Sequence, residues 1–202
     1  MIAIIDYGMG NLRSVQKAIE HTGYTTCITQ KPDDIRQAKG IILPGVGAMA
    51  PAMAKLEALN LIVPIKAAIT LRKPFLGICL GFQLLFEKSS EGGEVEGLGI
   101  LEGTVERFNN KLKVPHMGWN QIKIDNPLSP ILNRIKNQTN AYFCHSYFVK
   151  PKDPSLIVAT TDYGKPFVSA IQRGNLFGVQ FHPEKSQTIG LQLLNNFGRL
   201  AK

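Results

Sequence analysis

"PFLGICLGFQLLF", residues 74–86, is the stretch on which the fold turns. The first five residues, "PFLGI" (74–78), form a short apolar run and read as a buried strand. The chain then meets Cys79 between Gly77 and Gly81, and apolar residues resume in "FQLLFEKS" (82–89), which reads as a helix. Gly77-Ile78-Cys79-Leu80-Gly81 has the glycine spacing of a nucleophile elbow, with cysteine in place of serine. A strand-to-helix turn this sharp forces its central residue into a strained backbone conformation. Side chains two residues to either side would clash, so glycine occupies those positions. The thiol then lies at a helix N-terminus, where free N–H groups favour thiolate. The Leu80 N–H points toward a developing oxyanion. The same five residues also suit a small cysteine packed at the end of a central strand, and taken alone they leave both readings open.

Working outward, the N-terminal half alternates strands with helices. "IAIID" (2–6), "YTTCIT" (24–29) and "GIILPG" (40–45) read as strands. Asn11 can cap a helix that runs to about His21, with Leu12, Val15, Ala18 and Ile19 on one face. "AMAPAMAKLEAL" and "LIVPIKAAITL" are helical, with Pro51 and Pro64 in first turns. Strands buried on both faces and joined by helices predict a parallel sheet in a three-layer α/β domain. After residue 97 the chain reads as strands at 98–108, 117–124, 141–149, 156–163, 167–172 and 176–181, mostly linked by turns. Antiparallel additions to the parallel core are expected, closed by a helix from Ser186 to Leu200. No repeat, linker or boundary divides residues 1–202, so one domain is expected.

The composition narrows the function. Hydrophobic residues make up 44% of the 202 positions, enough for a sizeable core. No apolar run reaches the roughly 18 residues of a membrane span without a polar break. "MIAIIDYGMGN" reaches Asp6 with no basic region before it and reads as a first strand, so a cytoplasmic location is expected. Three cysteines, Cys27, Cys79 and Cys144, lie far apart with no CxxC, which argues against a disulfide framework or a metal site. Cys27 and Cys144 read as packed strand residues, and His21 as a surface residue at a helix end. The formal charge is +8. Its carriers, such as Arg72-Lys73, Lys111, Lys113, Lys150 and Lys152, are scattered without interleaved aromatics, so nucleic acid is not the expected partner.

A cysteine nucleophile needs a base, and "VQFHPEKS" (179–186) offers His182. Pro183 keeps His182 extended. In an extended chain Glu184 falls on the same side and can orient the imidazole, as the third member of a triad does. A strand-end histidine beside a surface glutamate is the bland alternative for this segment by itself. An elbow cysteine together with His-Pro-Glu makes a Cys79-His182-Glu184 arrangement. "LPGVGA" (43–48) ends a neighbouring strand, and its glycines let Gly45, Val46 and Gly47 turn N–H groups toward the site as oxyanion donors.

"PGVGA", "GICLGFQLLF" and "FHPEKS" together resemble the class I (triad) glutamine amidotransferases, and the resemblance runs through nearly the whole chain. "DYGMGNLRSV", "PHMGWN", "HSYFV" and "HPEKSQ" are similar, within that family, to the glutaminase subunits of imidazole glycerol phosphate synthases. The resemblance implies a flavodoxin-like three-layer fold and attack of Cys79 on the side-chain amide of L-glutamine. It implies an oxyanion site from Gly45, Val46, Gly47 and Leu80. Gln83 and the stretch His145, Ser146 and Tyr147 would hold the glutamine. No cofactor or metal is implied. The implied partner is a (β/α)8-barrel cyclase subunit in a heterodimer that receives the ammonia. Docking is expected through the Tyr7–Arg13 loop (Asn11 and Arg13 in particular), Trp119, Asn120, Tyr142 and Lys185, with His116 near that face. Core packing is the competing reading for Trp119. Two other classes compete with the whole reading. One is a cysteine-elbow hydrolase or peptidase, which shares the elbow but not a C-terminal His-Pro-Glu before a single closing helix. The other is a non-catalytic α/β binding module, which has no need of an intact Cys79, His182 and Glu184.

Overall fold

The computed structural model describes residues 1–109 and 112–202; Lys111 of the scattered basic residues lies outside them. The chain runs β1 (Ile2–Ile5), α1 (Leu12–His21), β2 (Thr26–Thr29), α2 (Pro32–Gln37), β3 (Gly40–Gly45), α3 (Met49–Ala58), α4 (Ile62–Thr70), β4 (Phe75–Cys79) and α5 (Leu80–Gln83). It continues through β5 (Phe86–Ser89), β6 (Val95–Glu96), β7 (Leu101–Arg107), β8 (His116–Ile124), β9 (Thr139–His145), β10 (Tyr147–Pro151), β11 (Ile157–Asp162), β12 (Pro166–Arg173), β13 (Leu176–Val179) and α6 (Gln187–Leu200).

Nine strands form the main sheet in the order β2-β1-β3-β4-β13-β12-β11-β8-β9. The pairs from β2 to β13 are parallel, and those from β13 to β9 are antiparallel. This is the expected three-layer α/β architecture with antiparallel additions. Alternation along each strand explains the layers. Ile2 and Ile4 face one core, with Val15 and Ile19 of α1 and Leu193, Leu194 and Phe197 of α6. Ala3 and Ile5 face the other, with Ile35, Leu56 and Ile65 of α2, α3 and α4. Burying both faces of the parallel strands leaves only their ends open to solvent, and that is where the site lies. Two registers place it: Gly45 pairs with Cys79, and Val179 pairs with Ile78.

Several expectations need correction. The helix expected over 82–89 is one turn, after which Phe86–Ser89 enters a second sheet of order β10-β7-β5-β6. The apolar run could not separate a buried helix from a buried strand, and pairing with β7 decided it. The strand expected over 141–149 breaks at Ser146 into β9 and β10, which belong to different sheets. The strand at 176–181 ends at Val179, and α2 and β6 were not anticipated. Asn11 occupies the N-cap of α1, but its side chain makes no capping hydrogen bond. Cys27 is only half-buried. No helix among the described residues is long and apolar enough to cross a membrane.

Candidate active site

Cys79 is the last residue of β4 and the N-cap of α5, with φ 54° and ψ −109°. Such a positive φ is costly for any residue with a Cβ, and the surroundings hold it there. The flanking glycines show how. A Cβ on Gly81 would overlap the Leu43 carbonyl of β3, and one on Gly77 would lie 2.8 Å from Gly81 O and Phe82 Cα. The elbow therefore closes only because both positions lack side chains.

β13 runs beside β4, and the chain continues past it to His182, followed by a 3-10 turn at Pro183–Lys185. His182 itself is extended, as expected, but the chain does not stay so: the turn brings Glu184 back, and its Oε1 lies 2.9 Å from His182 Nδ1. Both side chains are nearly inaccessible, at 4% and 1% exposure. Burial alone would lower the His182 pKa. Hydrogen bonds and charge from Cys79 and Glu184 outweigh it and hold the imidazole up at about 10. A protonated imidazole, gripped by Glu184 beside the sulfur, is the form this arrangement favours.

Cys79 and His182, with Glu184 buried behind them, border a cavity of about 250 Å³, also lined by Val46, Gly47, Leu80, Gln83, His145, Ser146 and Tyr147. Gly47 has φ +96° and Val46 is partly exposed, so this strand end faces the cavity. The cavity has room for a small amino acid. A larger one, about 480 Å³, lies on the second sheet around Lys88, Glu94 and Glu106. Its charges are paired, Lys88 with Glu94 at 2.8 Å and Glu106 with Lys150 at 3.1 Å, and neither cysteine nor histidine lines it.

Behind the cavity the histidines are spoken for. His145 Nδ1 lies 2.8 Å from Tyr147 O and its Nε2 lies 3.0 Å from His116 Nδ1. A carbonyl only accepts, so His145 carries its proton on Nδ1 and His116 donates to its Nε2. Asn120 Nδ2 then donates to His116 Nε2 at 3.2 Å. Burial drives the His145 pKa down to about 3 and that of His116 down to about 4. Both rings are neutral spacers, and with both nitrogens occupied His145 can offer a ligand only its backbone. His116 is buried rather than on the docking face, stacked between Phe143 and Tyr163. Gln83 Nε2 donates to Tyr147 O at 2.8 Å and to Gln180 Oε1 at 3.0 Å, which leaves its own Oε1 for a ligand.

The surface residues divide. Trp119 is 50% exposed and meets Tyr142 edge-on at 5.9 Å, its partner across β8 and β9. Lys185 Nζ lies 5.6 Å from the Tyr142 ring and also borders the cavity. Trp119, Tyr142 and Lys185 thus form one cluster that reaches the site's rim, and core packing does not account for Trp119. Asn11 and Arg13 are exposed on α1, and Arg13 bonds Gln16 at 2.8 Å. Tyr7 does not belong with them. It is buried, and its hydroxyl lies where a Gly45 side chain would go.

Reading the sequence missed three residues here. Gln180 is fully buried with Nε2 3.7 Å from Cys79 Sγ; its even spacing from His182 was the available signal. Glu91 lines the cavity from a loop and accepts from Met49 N at 2.9 Å, with no periodic signal to mark it. Cys144, expected in the core, is half-buried at the cavity, its carbonyl 3.9 Å from Cys79 Sγ.

Residues 3–200 match the family model for glutamine amidotransferase class-I. The chain is 52% identical over 201 residues to the imidazole glycerol phosphate synthase subunit HisH of Moorella thermoacetica, covering 100% of this chain and 95% of that one. It is also 52% identical over 204 residues to the HisH subunit of Thermosynechococcus vestitus, covering 100% and 97%. Among solved structures, one described as a glutamine amidotransferase superposes with a TM-score of 0.78 at 18% identity, covering 100% and 99%. PurLQS from Thermotoga maritima gives 0.72 at 21%, covering 99% and 96%. At such identities these two speak to the fold alone.

Proposed function

The chain belongs to the class I glutamine amidotransferase family, and we infer that it is the glutaminase subunit of an imidazole glycerol phosphate synthase, releasing ammonia from L-glutamine for histidine biosynthesis. The observation that carries the chemistry is Cys79, held at a positive φ at the strand end and sharing one cavity with an imidazole that Glu184 grips at 2.9 Å. The half-identity to full-length relatives supports the pathway.

The proposed reaction follows from those groups. Cys79 Sγ attacks the side-chain amide carbon of glutamine, and the oxygen takes up negative charge facing Leu80 N–H and the Gly45-Val46-Gly47 strand. The C–N bond breaks as His182 gives its proton to the departing ammonia, leaving a glutamyl thioester. His182, now neutral, takes a proton from water. The hydroxide oxygen bonds the acyl carbon, the C–S bond breaks, and glutamate leaves with Cys79 again a thiolate. Glu184 keeps the imidazole in one orientation throughout. Gln83 and the 145–147 backbone orient the amino-acid end. The mechanism uses one domain, residues 1–202, and no cofactor. It needs a reduced thiol, which suits the cytoplasm.

Ammonia free in neutral water becomes ammonium and is no nucleophile. A sheltered transfer to a (β/α)8-barrel cyclase subunit, in a heterodimer, answers that problem. That subunit would make imidazole glycerol phosphate and aminoimidazole carboxamide ribonucleotide. The cluster of Trp119, Tyr142 and Lys185 at the rim suits such docking, and Asn11, Arg13 and Asn120 are further candidates for the same interface. The oxyanion strand, with its two glycines, is the element whose peptide can turn when the partner's ligand binds. The test is glutamate release from glutamine by the chain alone and with a cyclase subunit plus its ribonucleotide. Low activity alone and a large rise in the mixture is expected; high activity unchanged by the mixture would remove both the pathway and the switch.

A further inference from the structure

Gln180 lies just past β13, one residue beyond the Val179–Ile78 pair, and is fully buried. Its carboxamide touches Gln83 Nε2 through Oε1 at 3.0 Å and Cys79 Sγ through Nε2 at 3.7 Å. Chemistry fixes that orientation. Tyr147 O can only accept, so Gln83 faces it with Nε2. The second hydrogen of that nitrogen needs an acceptor, so Gln180 faces Gln83 with oxygen. Its nitrogen is left facing the sulfur. Tyr147 O is in turn held by His145, and His145 by His116. The donor aimed at the nucleophile is therefore locked through two carboxamides to a backbone carbonyl.

We propose that Gln180 is a further catalytic residue of this site, a hydrogen-bond donor to the Cys79 sulfur that favours its thiolate form. The proposal deepens the glutaminase reading and rests on Cys79 being the nucleophile. A thiol can instead donate to Cys144 O at 3.9 Å; only the thiolate makes full use of both Gln180 and His182 as donors. The donor acts twice. It holds the sulfur in line while the S–C bond forms. When the thioester C–S bond breaks, the electron pair returns to a sulfur that already has an N–H facing it. The other titratable groups around the sulfur are His182 backed by Glu184, the buried Tyr7 hydroxyl, and His145, Glu91 and Lys185 on the cavity wall.

The test is the pH dependence of iodoacetamide alkylation of Cys79 in the full chain, read by peptide mass because Cys27 and Cys144 are also free. Gln180→Glu keeps an acceptor for Gln83 but replaces the donor; Gln180→Met removes both. The apparent thiol pKa is expected to rise by about one to two units in both variants, most in the glutamate. Alkylation at neutral pH should slow by about tenfold or more, and in the complex kcat should fall, with KM little changed in Gln180→Glu, which keeps the acceptor that orients Gln83. A purely structural role would lower the melting temperature and leave the Cys79 titration in place. If either folded variant titrates within a few tenths of a unit of the wild type, the proposal is overturned. If wild-type Cys79 itself titrates near the ordinary 8.5 or above, the nucleophile reading falls and takes this proposal with it.

Discussion

Replacing His116 with asparagine should flatten the acid side of the stability curve, by an amount that follows from the buried pair. In the folded chain burial holds His145 at about 3 and His116 at about 4, while an imidazole in the unfolded chain titrates near 6.5. Below pH 6.5 the unfolded chain takes up protons that the folded chain refuses. Stability is therefore present above 6.5 and is lost as the pH falls toward 4. Each ring contributes up to about 1.4 kcal/mol per pH unit, so the loss between pH 6.5 and 5 is about 2 kcal/mol per ring and about 4 for the pair. His182 does not add to this loss, since at about 10 its folded form already holds the proton and its stabilisation is lost only as the pH rises. In His116→Asn the amide nitrogen can still donate to His145 Nε2, as Nδ1 does now at 3.0 Å. One titration is gone and one remains. Urea unfolding at pH 7, 6 and 5 should show the variant losing about 2 kcal/mol less than the wild type, whatever its stability at pH 7. Equal losses in the two proteins would mean that His116 is not held neutral, and the reasoning about the pair would be wrong.

Other perturbations reach the remaining parts of the site. Cys79→Ala should abolish synthesis from glutamine in the complex while leaving synthesis from ammonium salts, and loss of both would contradict the division of labour between subunits. Glu184→Gln removes one of the groups holding His182 near 10, and glutaminase activity should fall by about 10²–10⁴-fold; a steady-state assay with less than a tenfold loss would count against the triad. Gly81→Ala puts a methyl into the Leu43 carbonyl, a backbone group with no freedom to swing aside, and should destabilise by about 3 kcal/mol or more; an unchanged urea midpoint would mean that the elbow is looser than described. Trp119→Ala should change stability by less than about 1 kcal/mol, because half its surface is already exposed, yet weaken cyclase binding by about 30-fold; calorimetric titration with an unchanged Kd would remove Trp119 from the docking surface.

The parts of the molecule legible in the sequence share a cause. Gly77, Cys79 and Gly81 could be read because sterics leave one turn for that spacing, and the parallel strands because a sheet buried on both faces must be apolar throughout. His182 and Glu184 could be paired, though for an incomplete reason: the 3-10 turn that starts at Pro183, not a chain extended through Glu184, brings the carboxylate to Nδ1. Residues 82–89 misled because the apolar run that opens them, 82–86, is buried on every side and so has no period. The second sheet depends on pairings between distant segments, such as Phe86 with Leu101 and Tyr147 with Arg107, that local pattern does not carry. His116 and Tyr7 were expected near the docking face because the family resemblance puts their segments there; hydrogen bonding to His145 and packing beneath Gly45 bury them instead. Gln180 looked like an ordinary strand residue until its two partners could be seen together.

The most direct measurement is covalent capture of the nucleophile. The chain, bound to a cyclase subunit and its ligand, is treated with a glutamine-mimicking chloroketone, digested and mapped by peptide mass, with and without excess glutamine. The account predicts one label per chain, on Cys79, with glutamine protecting and glutaminase activity lost in proportion. Loss of activity with the label on Cys144, which borders the same cavity, or full activity with Cys79 labelled, would contradict it.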